Sequence, residues 1–117
     1  MKSFTDLEQS KKLAEILPPQ SADMFWLVVG GTPRVHVLTD SLSNYSKWEN
    51  YPCWSLAALL DVIPWGQVNR MTNSSKWAAV SWKDSNFVPK YPCVEGFDTP
   101  IDACYELILK LHEHKLI

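Results

Sequence analysis

The spacing of hydrophobic and polar positions predicts one helix near each end of the chain. Near the start, the stretch TDLE at residues 5–8 has the pattern of a capping box with Thr5 as N-cap. Apolar residues then recur at helical spacing until Pro18 ends the segment. Near the end, Thr99 is the predicted N-cap and Pro100 the first residue of a second helix with one apolar face.

A third helix is predicted between Pro52 and Pro64. Residues 54–63, WSLAALLDVI, place apolar side chains in nearly every direction of a helical wheel. A helix that is apolar on all sides is usually buried on all sides. We therefore predict that this segment is the central core helix, surrounded by the rest of the chain.

The remaining apolar segments predict strands. Residues 24–29 and 34–38 flank the turn signal Gly30-Gly31 and form a predicted hairpin, and residues 66–72, 77–83 and 87–97 form a predicted meander. The resulting order is α-β-β-α-β-β-β-α. It predicts a single α+β domain over residues 1–117, with three helices and an antiparallel sheet of four to five strands.

The longest polar stretch, residues 39–50, has no clear period and is predicted to be a loop. It carries Tyr45 and Trp48, which a purely solvated loop does not need. Tyr51 follows directly, and Trp65 comes just after the predicted core helix. Aromatic side chains on loops are effective anchors for a protein partner. We take these four residues as a candidate partner-binding surface; the alternative is that the rings fold onto the core.

Composition narrows the class of protein. The 117 residues carry a net charge of −2, and the basic residues are scattered, so nucleic-acid binding is not expected. No apolar run approaches the ~20 residues of a membrane-spanning helix. The start of the chain does not resemble a signal peptide, and the three cysteines are an odd number. We therefore expect a cytoplasmic protein with reduced thiols.

The tripeptide YPC occurs at residues 51–53 and again at 91–93. Cys53, Cys93 and Cys104 lack the close pairing typical of a zinc site, and a Cys53–Cys93 disulfide is disfavoured in the cytoplasm. The simpler interpretation is that proline extends the chain before a new element and cysteine fills a small apolar space. No metal or cofactor motif is present, and no cofactor is predicted.

Two alternatives to a binding protein remain open. A hydrolase could use Cys53 or Cys93 with His36, or an acid such as Asp61, the one charged residue of the predicted core helix. A self-associating structural protein could use exposed tryptophans as its interface. His112 and His114 project about 200° apart on a helix, so they are not expected to share a metal ion.

The segments YPCWSLAALLDVIP and DTPIDACYELILKLHEHKLI, together with TDLEQSKKLAEILP, resemble short proteins encoded by phages and mobile elements of gut bacteria. No activity is established for that family. The resemblance covers most of the chain and implies a cytoplasmic accessory protein without assigned site residues. The expected function is therefore non-enzymatic binding.

Overall fold

A computed structural model describes residues 1–37, 48–82 and 93–117. The fold is α+β, as predicted, but the described strands form two three-stranded antiparallel sheets instead of one sheet of four to five strands. The elements are α1 (Leu7–Ala14), a 3₁₀ turn (Pro19–Ser21), β1 (Met24–Val29), β2 (Thr32–Val37), β3 (Glu49–Cys53), α2 (Leu56–Val62), β4 (Gly66–Arg70), β5 (Trp77–Ser81), β6 (Cys93–Phe97) and α3 (Pro100–Glu113).

The first sheet has the strand order β2-β1-β3. Its β1–β2 hairpin was predicted from the turn signal Gly30-Gly31, and both glycines have positive φ, 58° and 80°. Positive φ at both central residues is the requirement of the tight turn that matches the twist of a hairpin. Val29 and Thr32 are the last paired residues on either side of the turn.

The third strand of this sheet was not predicted. β3 includes the first YPC segment and pairs with β1, with Pro52 opposite Phe25 and Cys53 opposite Met24. Proline cannot donate a ladder hydrogen bond, so it is tolerated here because β3 is an edge strand. The predicted loop over residues 39–50 therefore ends earlier than expected; residues 38–47 lie outside the described part of the chain.

The second sheet has the strand order β4-β5-β6 and corresponds to the predicted meander. β4 pairs with β5 in regular register from Gly66 opposite Ser81 to Arg70 opposite Trp77. The β5–β6 pairing contains a bulge between Trp77 and Ala78. One face of this sheet packs on α3.

The helix at the centre of the core is α3, and the prediction of its start is confirmed. The Thr99 hydroxyl accepts a hydrogen bond from the Asp102 amide at 3.1 Å, and Pro100 occupies the first turn. The buried residues of this helix share one face: Pro100, Ile101, Ala103, Cys104, Leu107, Ile108 and Leu111. His112 is exposed and lies in the last turn of α3, after the last buried residue Leu111.

The prediction that the helix between Pro52 and Pro64 is buried on all sides is wrong. α2 has seven residues, of which Ala58 and Leu59 are buried, whereas Ala57 and Asp61 are exposed. Leu60 is half-buried against the core. The helix packs on α3, β4 and the 3₁₀ turn, and these neighbours leave its remaining apolar residues partly in solvent.

The N-cap of α1 is Asp6 instead of the predicted Thr5. The Asp6 carboxylate accepts from the Gln9 amide at 2.8 Å, and the Gln9 side chain accepts from the Asp6 amide at 3.1 Å. Thr5 is fully buried, because the neighbouring Phe4 forms a β-bridge with Ser55. The Thr5 hydroxyl accepts a hydrogen bond from the Trp54 amide at 3.1 Å, so it is used inside the fold and not as a cap.

Candidate binding surface

Trp65 combines two features that folding alone does not require. Its side chain is 75% exposed, and its backbone has φ +50°. For a residue with a Cβ atom, this left-handed conformation costs roughly 1–2 kcal/mol, and glycine or asparagine adopts it more easily. Neither the backbone nor the core therefore explains why this position carries an indole.

The turn that presents Trp65 is fixed on both sides. The Ser81 hydroxyl donates to the Pro64 carbonyl at 2.5 Å, and the Trp82 amide donates to the Trp65 carbonyl at 3.0 Å. Gly66 follows, and a Cβ at this position would lie 2.8 Å from the Ile63 Cβ, so no side chain fits there. The indole is thus exposed on a backbone that cannot easily move.

The other described members of the predicted aromatic surface lie in or next to a different strand. Trp48 is 37% exposed and directly precedes β3, and Tyr51 lies within β3, so both belong to the first sheet. Trp65 directly precedes β4, in the second sheet. The predicted surface therefore draws its described residues from both sheets. Tyr45 lies outside the described residues.

Tyr51 packs on the protein itself. The Lys11 ammonium lies 5.1 Å from the centre of its ring, and its hydroxyl donates a hydrogen bond to the Glu49 carboxylate. That hydrogen bond raises the pKa of Tyr51 above its ordinary value of 10.0. A ring held in this way contributes to the attachment of α1 to β3 more than to an open surface.

The three cysteines are free thiols in different environments. Cys53 and Cys104 are fully buried, and burial raises the pKa of both, that of Cys104 to about 12. The Thr5 hydroxyl donates to the Cys53 sulfur at 3.6 Å. Cys53 fills a small interior space, as predicted, whereas Cys93 is exposed. Tyr91 and Pro92 of the second YPC segment lie outside the described part.

The pairing of Cys53 with His36, one form of the hydrolase alternative, does not occur. Cys53 is opposite Met24 on β1, whereas His36 is opposite the next residue, Phe25, and its ring stacks on the Phe25 ring at 5.3 Å. Since successive side chains of a strand point to opposite faces, the thiol and the imidazole lie on opposite faces of the sheet. Cys93 belongs to the second sheet and His36 to the first.

The remaining candidate of the hydrolase alternative is an acid on the surface of α2. Asp61 is exposed on α2 at the edge of a shallow groove of about 400 Å³, whose walls include Leu17, Val62 and Ile117. Within residues 1–37, 48–82 and 93–117, no three His, Cys, Asp or Glu side chains are grouped so that they could hold a metal ion. None of the helices in these ranges is long and apolar enough to cross a lipid bilayer.

The outer edge of β4 is a feature that the sequence did not reveal as a site. The Trp65 carbonyl and the Met71 amide both bond toward β5, to Trp82 and Lys76. Since hydrogen-bonding direction alternates along an antiparallel strand, Gln67 and Asn69 also bond toward β5, and the backbone groups of Val68 and Arg70 point away from it. No described residue pairs with these outward groups. The signal available in the sequence was the position of this segment as the first strand of a meander.

Comparison with known proteins returned no match: no family model, no curated protein and no solved structure is similar to this chain.

Proposed function

We propose that this protein is a small cytoplasmic binding domain without catalytic activity, and that it engages a protein partner through Trp65. The observation that carries the proposal is the combination of exposure and backbone strain at Trp65. A large aromatic ring on a rigid backbone loses little conformational freedom when it binds, so it is an efficient anchor.

The position of Trp65 beside β4 supports the same proposal. The indole lies at the end of a strand whose outer backbone groups have no partner among the described residues. An extended segment of a partner could add to this edge by main-chain hydrogen bonds, while the indole provides side-chain contact. The accessory role expected from the resemblance to phage-encoded proteins agrees with a binding function and remains a prediction, and the three unpaired thiols agree with a cytoplasmic location.

The test compares substitutions at Trp65 with one at Trp48. The immobilised protein is panned against a library of random twelve-residue peptides, and the affinities of selected peptides are measured by biolayer interferometry. Trp65→Ala removes the anchor, and we expect at least tenfold weaker binding, which corresponds to the ~1.4 kcal/mol or more lost at an interface hot spot. Trp48→Ala, the matched control in the first sheet, leaves binding unchanged.

A second variant separates binding from folding. Trp65→Asn removes the indole and places at this position a residue that adopts positive φ more easily, so the melting temperature stays equal to that of the wild type or rises. Its peptide binding falls as in Trp65→Ala. Binding that is unaffected by both substitutions contradicts the proposal, as does a melting temperature lowered by several degrees in Trp65→Asn, which would show that the indole is part of the core.

A further inference from the structure

The four edge strands of the two described sheets differ in how they are protected. Proteins commonly guard sheet edges with proline, bulges or charge, because an open edge pairs with any available strand. Pro33 lies in β2 and Pro52 in β3, and β6 carries the bulge opposite Trp77 together with Gly96, whose φ is +90°. β4 contains no proline, pairs with β5 without a bulge, and carries one charged residue, Arg70, at its last position. Its five residues therefore form the most regular edge for strand addition.

We infer that the strand added to β4 is β4 of a second copy of this chain, so that two sheets join into one antiparallel six-stranded sheet across a two-fold axis at Val68. This inference rests on the proposed function, because it names a second copy of the chain as the partner that binds the β4 edge next to Trp65. It corresponds to the self-association that the sequence left as an alternative.

The sequence of β4 is complementary to itself in this register. Val68 faces Val68 of the second copy, and each Arg70 faces a Gly66, so the two positive charges do not oppose each other. Gln67 faces Asn69, which places one amide side chain opposite another. The outward backbone groups of Val68 meet across the axis, and each Arg70 amide faces the carbonyl of the opposite Gly66. Four main-chain hydrogen bonds result.

The ends of the paired strands add apolar contact. Continuing the register by one residue brings Trp65 of one copy next to Met71 of the other, at both ends of the pair. A thioether beside an aromatic ring is a favourable contact. Two five-residue strands bury less than the roughly 1,200–2,000 Å² of a stable interface, so we expect a weak dimer. Its population should rise with protein concentration in the micromolar to millimolar range, which corresponds to weak association.

Charge substitutions at Gln67 and Asn69 test both the dimer and its register. Both side chains are exposed, so both tolerate charge in the monomer. The double variant Gln67→Lys/Asn69→Lys places like charges opposite each other twice, and we expect at least tenfold weaker association by sedimentation velocity. The matched variant Gln67→Lys/Asn69→Glu places opposite charges in the same positions and associates as tightly as the wild type or more tightly.

A proline substitution provides an independent check. The Arg70 amide points away from β5, so Arg70→Pro removes an intermolecular hydrogen bond and leaves the ladder to β5 intact. This variant is expected to be folded and monomeric. Asn69→Pro removes an amide that bonds to β5 and should lower the melting temperature. A lower melting temperature would confirm that the Asn69 amide points toward β5 and the Arg70 amide away from it.

The outcomes separate this inference from the proposed function. A wild type that is monomeric up to about 1 mM, a concentration at which a dimer with a millimolar dissociation constant is well populated, overturns the dimer, and so does a dimer that both charge variants form equally well. Peptide binding that depends on Trp65 in a monomeric protein supports the proposed function while rejecting the second copy as partner. A dimer lost in Gln67→Lys/Asn69→Lys and kept in Gln67→Lys/Asn69→Glu supports the inference.

Discussion

The two sheets are attached to their helices by different kinds of contact. The second sheet contacts α3 through all three of its strands, and Ala79 of β5 and Leu107 of α3 belong to the same apolar core. The first sheet contacts α1 through β3, and polar groups lie at that junction: the Trp26 indole donates to the Thr5 carbonyl at 3.1 Å, and the Thr5 and Ser10 hydroxyls bond to each other at 2.8 Å. One attachment depends mainly on apolar burial and the other also depends on buried hydrogen bonds.

This difference implies different sensitivities to mutation. Apolar contacts are lost in proportion to the volume removed, whereas a buried hydrogen-bond network fails when one partner is removed and the other is left unsatisfied. Substitutions in α3, at Thr5 and at Asp102, which links α3 to α1 through Gln9, therefore allow these contributions to be ranked by their effect on the free energy of unfolding.

The largest effect is expected at Leu107, which is fully buried on α3 within the apolar core. Leu107→Ala removes three carbon atoms from a packed interior and should lower the free energy of unfolding by about 2–5 kcal/mol. Urea denaturation measures this change. Leu109→Ala, on the same helix but only half-buried, is the control and should cost clearly less. Equal effects at both positions would contradict the assignment of α3 as the central helix.

A smaller effect is expected at Thr5. Thr5→Val keeps the shape of the side chain but removes the acceptor of the Trp54 amide and the partner of the Ser10 hydroxyl. Leaving buried donors unsatisfied should cost about 1–3 kcal/mol. Thr72→Val, the same substitution at an exposed position, is the control and should cost clearly less. Hydrogen exchange should speed up in β3 and α1 before it does in β5; a uniform increase would contradict the separate attachment of the first sheet.

The smallest effect is a dependence on pH at the link between α1 and α3. Burial raises the pKa of the Asp102 carboxyl, but hydrogen bonds from Lys2 (2.9 Å) and Gln9 (2.8 Å) outweigh it, and the net pKa lies below the ordinary value of 3.8. The stabilisation is therefore present above pH ~4 and is lost as the pH falls through the lowered pKa. The pair is partly exposed, so its contribution is about 0.2–1 kcal/mol.

Asp102→Asn is the variant that isolates this contribution. Urea midpoints measured between about pH 2 and 7 should fall less steeply in the variant than in the wild type, because a titrating group has been removed. Lys2 titrates at the opposite limit: burial lowers its pKa, but hydrogen bonds to Asp102 and Asp6 raise it further, above 10.5, so its stabilisation is lost only in strong alkali. Identical slopes in the acid range would show that the link does not contribute to folding.

The elements that the sequence predicted correctly carry local signals. The start of α3 follows from Thr99 and Pro100, and the first hairpin follows from two consecutive glycines, because capping and positive φ depend on residues next to each other in the chain. The N-cap of α1 was misplaced by one residue because both Thr5 and Asp6 can cap a helix. The fold distinguishes them, because Thr5 is fully buried next to the Phe4–Ser55 bridge whereas Asp6 is exposed.

The features that were missed depend on distant parts of the chain. β3 contains polar residues and Pro52 and becomes a strand because β1 provides its ladder. The burial of α2 depends on which elements pack on it, and a helical wheel shows only the directions of its side chains. At the candidate site, Trp65 was identified as an aromatic residue after a helix, but the sequence does not show its positive φ or that the outer edge of β4 is unpaired among the described residues.

The contrast between Trp65 and Trp54 gives the protein an internal optical reporter. The Trp54 indole is fully buried and donates to the Ser21 hydroxyl at 2.9 Å, so its emission should be blue-shifted and protected from acrylamide. The indole of Trp65 faces water and should emit at longer wavelength and be quenched readily. The difference spectrum between the wild type and Trp65→Asn isolates the surface signal, so occupation of this surface can be followed without attaching a dye.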